Sequence, residues 1–114
     1  MEGMNKQQLI PQEVVDGLPK IGETDGQKDP LLQVKFFYPD FDWTWYVMEF
    51  DGDDEFFGLV DGFEKELGYF RLSELMGNRG TLGLEIERDM FFTPVVLSEK
   101  LPWWKDKQKD HVED

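Results

Sequence analysis

The run from Trp43 to Phe50 limits the fold more than any other stretch of the chain. Side chains alternate along a strand, so Trp43, Trp45, Val47 and Glu49 fall on one face and Thr44, Tyr46, Met48 and Phe50 on the other. Both faces are apolar. Such a strand has to be covered on both sides, which places it at the centre of a sheet. Its neighbours read as strands too. Leu31 to Tyr38 alternates around Leu32, Val34 and Phe36, and Pro39-Asp40-Phe41-Asp42 forms a turn into the central run. Asp51-Gly52-Asp53-Asp54 makes the next turn, Phe56 to Val60 the third strand, and Gly68 to Leu72 a fourth. Strands joined by turns this short form an antiparallel meander.

Helical signals lie outside that block. Pro11 can open a helix in which Val14, Val15 and Leu18 form an apolar stripe and Gly17 a stop. Lys20 to Pro30 reads as a loop. Ser73 reads as the N-cap of a helix over Glu74 to Met76, closed by Gly77-Asn78. Arg79 to Gly83 is a glycine-punctuated loop. Leu84 to Phe92 offers a fifth strand, with Leu84, Ile86 and Arg88 opposed to Glu85, Glu87 and Asp89, and Thr93 to Leu101 shows no regular pattern. The expected fold is α+β, a single domain with a four- to five-stranded antiparallel meander sheet and short helices. Residues 1–10 are expected to be a flexible N-terminus, 11–101 the domain, and 102–114 a charged, disordered tail.

Composition narrows the chemistry. The chain has 114 residues with 25 Asp+Glu against 12 Lys+Arg, a formal net charge of −13. It contains no cysteine, which excludes disulfides, thiolate zinc sites and cysteine nucleophiles. The surplus of acid argues against direct binding of nucleic acid, whose phosphates need Lys and Arg. No apolar run is long enough to span a membrane, and the N-terminus lacks the pattern of a secretory signal, so a cytoplasmic protein is expected.

Several short runs together resemble a known family. They are Val34-Lys35-Phe36-Phe37, Trp43-Thr44-Trp45-Tyr46-Val47, Phe56-Phe57-Gly58, Glu66-Leu67-Gly68-Tyr69-Phe70, Ser73-Glu74-Leu75, Arg79-Gly80, Leu82-Gly83-Leu84 and Ile86-Glu87-Arg88-Asp89. This pattern is similar to small single-domain bacterial proteins catalogued as a domain of unknown function. Such proteins are common on plasmids, phages and integrated elements, near antirestriction and conjugation genes. The resemblance implies a mobile-element setting and assigns no catalytic residue.

Residues 40–66 hold ten carboxylates and one lysine. Acids at turns serve turn geometry and solubility. Spread along one face they would also imitate nucleic-acid phosphates and occupy a basic groove on a protein partner, here a restriction enzyme, a CRISPR effector or a DNA-binding regulator. The candidate partner-binding residues are Asp40, Asp42, Asp51, Asp53, Asp54, Glu55, Asp61, Glu64 and Glu66, with Trp103 and Trp104 as apolar anchors.

Other chemistries fit less well. Asp51, Asp53 and Glu55 have the spacing of a calcium loop, but Phe56 and Gly62 stand where its glycine and its bidentate glutamate belong. That leaves at most a weak Mg²⁺ or Ca²⁺ site. Glu85, Glu87 and Asp89 would share a strand face, and neighbouring positions there could meet the carboxyl separation of about 5–10 Å that a carboxylate hydrolase needs, but ion pairs of Glu87, Arg88 and Asp89 with Arg71 or Arg79 that fix the sheet edge are the favoured reading. Ser73 and Ser98 are the only serines and read as helix caps, and the only histidine is His111, in the tail. Trp43 and Trp45 could stack bases, but their neighbourhood is acidic, so they read as core. The expectation is a non-enzymatic binding protein with no cofactor and no metal; a protein whose acidity serves only solubility is the alternative.

Overall fold

The computed structural model describes residues 6–104 and, from residue 8 onward, their side chains. In chain order the elements are α1 (Lys6–Leu9), α2 (Gln12–Asp16), β1 (Leu31–Leu32), β2 (Val34–Tyr38), β3 (Phe41–Phe50), β4 (Glu55–Asp61), β5 (Lys65–Arg71), α3 (Leu72–Gly77), β6 (Glu87–Arg88), β7 (Val95–Val96) and α4 (Leu97–Lys100). The fold is α+β. A five-stranded antiparallel sheet has the order β5-β4-β3-β2-β6, and β1 pairs with β7 in a separate two-stranded ribbon. The meander β2-β3-β4-β5 is present, with β3 at its centre.

Both faces of β3 are covered. On one side Val34, Phe36, Trp45, Val47, Phe56 and Phe70 pack against Leu9, Ile10, Val15, Leu18, Leu72 and Leu75 from α1, α2, α3 and the segments flanking them. On the other side Tyr46, Met48 and Leu59 pack against Leu32, Leu97 and Leu101, with Trp104 and Val95 at the margin. Fully burying one such aliphatic or aromatic side chain stabilises by about 1.5–3 kcal/mol. The two small layers are therefore enough to hold the sheet between them.

The structure departs from the sequence reading in definite places. The first strand breaks at Gln33, whose N–H still donates to the Val47 carbonyl (2.7 Å). The break sends Leu32 to the opposite cluster from Val34 and Phe36. A bulge between Val47 and Glu49 has a similar effect on β3 and turns Phe50 onto the face of Trp45 and Val47. The last strand of the sheet shrinks to Glu87–Arg88, while residues 93–101, with no pattern in sequence, form β7 and α4. Leu9 and Ile10 are core residues, so the ordered chain begins before Pro11. Residues 1–5 and 105–114, including most of the expected tail and His111, lie outside the described residues.

Candidate functional site

Antiparallel pairing distributes the acids. Thr44 pairs with Asp61 and Phe50 with Phe56, so the turn after β2 and the turn after β4 lie at one end of the sheet. The turn between β3 and β4 lies at the other. Asp40, Asp42, Asp61, Glu64 and Glu66 therefore gather at the first end, and Asp51, Asp53, Asp54 and Glu55 at the second. The seven residues of β4 separate them by about 20 Å. The candidate acids form two groups and not one continuous face.

Several of these carboxylates hold the chain together. Asp51 Oδ1 accepts the backbone N–H groups of Asp53, Asp54 and Glu55 at 2.8, 2.9 and 3.1 Å. The Asp54 carboxylate accepts Ser73 N–H (2.8 Å) and Ser73 Oγ–H (3.0 Å) and so tethers the start of α3. The N-cap position of α3 belongs to Arg71, and Ser73 is a donor to Asp54 instead of the expected cap. Asp29 grips Ser98 at the start of α4 in the same way, at 2.9 and 2.6 Å. Asp40 Oδ2 accepts Leu82 N–H at 2.5 Å. It pins residues 80–84 to the sheet, and a Cβ on Gly80 would overlap the same carboxylate. Glu49, 2% exposed, accepts the N–H groups of Gly22 (2.8 Å) and Thr24 (2.9 Å) and the Thr24 hydroxyl.

The first end has a different character. Among the described residues, the carboxylates of Asp42, Asp61, Glu64 and Glu66 make no hydrogen bond and no ion pair. Lys65 lies among them in sequence, but its ammonium donates to the Lys100 carbonyl (3.0 Å). Beside these acids the aromatic side chains form a corner. Phe41 stacks on Trp43 (6.4 Å, 16°), and Phe63 meets Trp43 edge to face (5.1 Å, 82°). Phe63 is 91% exposed and Phe41 45%. Trp43 can lie this close to the turn because residue 62 is glycine; a Cβ there would sit inside the indole's six-membered ring contacts. Trp43, Val60, Phe63, Glu64 and Glu66 line an open cavity of about 280 Å³.

A family model described as "Protein of unknown function (DUF2958)" matches residues 9–109. The chain belongs to the DUF2958 family. No curated protein and no solved structure matches it. The DUF2958 assignment agrees with the resemblance drawn from residues 34–89 and reaches beyond them to both sides.

The remaining candidates occupy other parts of this DUF2958 domain. Trp104 is half-buried, with its Nε1–H donated to the Lys28 carbonyl (2.7 Å), so it belongs to the packing. Trp103 is 47% exposed and meets Trp104 edge to face at 6.3 Å. Among the described residues no three His, Asp or Glu side chains come together as a metal cluster. Glu85 pairs with Arg79 (3.4 Å) and Asp89 with Lys35 (3.8 Å). Neither is the pairing expected from sequence, which had Glu87, Arg88 and Asp89 meeting Arg71 or Arg79, and Glu87–Arg88 is too short a strand to align the acids on one face. Trp45 is core, whereas Trp43 is only half-buried. Burial first, then the carboxylates of Asp61 and Asp89, raises the Tyr46 hydroxyl above its ordinary value of 10.0. No helix among the described residues is long and apolar enough to cross a membrane.

Sequence reasoning did not single out Phe41, Val60, Gly62 or Phe63. The one signal was Asp61-Gly62-Phe63-Glu64, a large aromatic in a polar turn where solubility alone favours a small or charged residue.

Proposed function

We propose that this DUF2958 protein acts without catalysis, by binding a protein partner through the carboxylates at the Trp43 end of its sheet. The observation that carries this reading is the unpaired set Asp42, Asp61, Glu64 and Glu66 set against the exposed ring of Phe63. Carboxylates with no partner inside the fold attract a basic surface, and an exposed aromatic supplies the apolar contact that anchors it. In the mobile-element setting implied by the family resemblance, the partner is a nucleic-acid-binding protein of the host, and these acids take the place of phosphates in its groove. Restriction enzymes and CRISPR effectors are partners of that class.

A specific observation favours the second reading, in which acidity serves only turns and solubility. Asp40, Asp51 and Asp54 are all engaged with the chain's own donors. That engagement also decides the experiment, because charge reversal at Asp51 or Asp54 would break a turn and a helix start. The informative variant carries Asp42→Lys, Glu64→Lys and Glu66→Lys, with Asp53→Lys as the probe of the other end. Wild type and both variants are used to capture partners from host lysate at low and moderate salt, after circular dichroism confirms that each is folded. The reading expects a nucleic-acid-binding protein that wild type and Asp53→Lys retain, the triple variant loses, and salt releases. Equal capture by all three would assign the acids to solubility and overturn it.

A further inference from the structure

We propose that the cavity lined by Trp43, Val60, Phe63, Glu64 and Glu66 is a receptor for a single arginine side chain presented by the partner. This rests on the binding reading above and names the chemistry of its central contact. The cavity, about 280 Å³, falls just below the range of about 300–1,000 Å³ typical of small-molecule pockets, so it suits one long side chain. Its lining joins Trp43 and Phe63, whose rings touch edge to face (5.1 Å, 82°), to Val60, Glu64 and Glu66.

The two kinds of wall select for charge and shape together. A cation over an aromatic face is attracted by the ring quadrupole, and carboxylates beside the ring add to that attraction. A neutral group gains far less, lacking the charge, and an anionic group is repelled. Between the two cationic side chains, the guanidinium matches better. It is planar, stacks flat on a ring, and still turns its N–H edge toward carboxylates in the plane, two of which can be met in forked geometry. A lysine ammonium is a compact, strongly hydrated point charge and gives up more water to lie against the aromatic rings. The site is also ready-made. Gly62 fixes the Trp43 ring against the turn, and Glu64 and Glu66 have no internal partner to surrender.

The test is a titration of the full-length protein followed by the Trp43 indole N–H signal in two-dimensional NMR, assigned with Trp43→Phe. The probes are N-acetyl-arginine methylamide, the corresponding citrulline compound as its uncharged counterpart, and N-acetyl-lysine methylamide. The arginine probe should shift the Trp43 signal saturably in the millimolar range. The citrulline probe should leave it in place, and the lysine probe should bind at least threefold more weakly. Phe63→Ala should weaken the arginine probe about two- to tenfold, and Glu64→Gln with Glu66→Gln by about tenfold. Phe63, Glu64 and Glu66 are all exposed, so these variants fold. No shift with the arginine probe, an equal shift with citrulline, or lysine binding as tightly as arginine would each overturn the inference. Failure here is distinguishable from failure of the broader reading. A silent probe alongside salt-sensitive capture of a basic partner removes only the arginine receptor. A responsive probe with no such partner leaves the receptor and removes the assigned role.

Discussion

Replacing Gly62 by alanine tests the packing that builds the candidate site, and its sign follows from the structure. Gly62 does not have a positive φ, so alanine brings no backbone strain. Taken alone, a Gly→Ala change at a compatible position stabilises by about 0.4–1 kcal/mol through the unfolded chain. Here the new methyl would meet three atoms of the Trp43 ring at less than 3 Å, and that ring is held between Phe41 and Phe63. Forcing it aside costs about 1–3 kcal/mol, as overpacking generally does. The net expectation is a loss of about 1–2 kcal/mol, or a drop in Tm of about 5–15 °C for a domain of this size. Urea denaturation followed by far-ultraviolet circular dichroism measures it without relying on tryptophan emission. The control is the same change in a Trp43→Leu background, where the clash is gone and Gly62→Ala should stabilise. The pair then shows a coupling of about 2 kcal/mol. A Gly62→Ala protein as stable as wild type would refute the reasoning, because Trp43 would not then be seated on the turn.

Other consequences are as direct. Glu49→Gln should cost about 1–3 kcal/mol in urea denaturation, because one of the two accepting oxygens becomes an NH₂ that faces the N–H donor of either Gly22 or Thr24 in a buried site; a change under 0.5 kcal/mol would show that Glu49 does not hold residues 22–24. Asp51→Ala should cost about 1–2 kcal/mol, whereas Asp51→Asn, which keeps an acceptor oxygen for the three N–H groups, should cost clearly less; equal costs would contradict the turn assignment. Tyr46 makes stability fall with rising alkali. Its proton is held more tightly in the folded state, so this contribution is complete below pH 10 and is lost as pH rises through the higher folded value. Tyr46→Phe should therefore show a shallower fall in urea midpoint between pH 9 and 11. Glu64→Gln with Glu66→Gln should raise the stability of the free protein by about 0.5 kcal/mol, the size of relieved like-charge repulsion at a surface, and this too is read from urea midpoints.

How far the chain could be read in advance depended on the range of the interactions involved. The two-faced pattern of Trp43 to Phe50 reports burial on both sides of one strand, and β3 is indeed central. The turns at Asp40 and Asp51 are local chemistry and fall where expected. Leu32 falls on the other cluster because counting alternate residues assumes an unbroken pleat, whereas the strand breaks at Gln33 and Leu32 pairs with Val95, more than sixty residues away. The helix at Leu97–Lys100 shows in sequence only as a cap reading of Ser98, with no periodic pattern, for a related reason. Its start is satisfied by Asp29, a partner that no local window contains. The same holds for the site. Thr44 to Asp61 pairing, and not proximity in sequence, decides that Asp42 and Glu66 belong together and Asp51 does not.

A net charge of −13 is thus a sum over groups doing different work. Asp29, Asp40, Asp51 and Asp54 accept backbone or hydroxyl protons, and removing any of them leaves donors unpaired. These acids follow from the fold and would be needed whatever the protein bound. Asp42, Asp61, Glu64 and Glu66 do nothing of the kind, and crowding them at one end of a sheet costs the isolated domain repulsion. An exposed Phe63 beside them adds an apolar surface that water does not favour. The crowded acids do not help the domain fold, Phe63 buries only the part of its ring that it sets against Trp43, and a basic partner relieves both at once. This opposition between what the free domain prefers and what the corner carries is the physical argument for function there. It also explains why neutralising Glu64 and Glu66 should stabilise the free protein and weaken its complex in the same experiment.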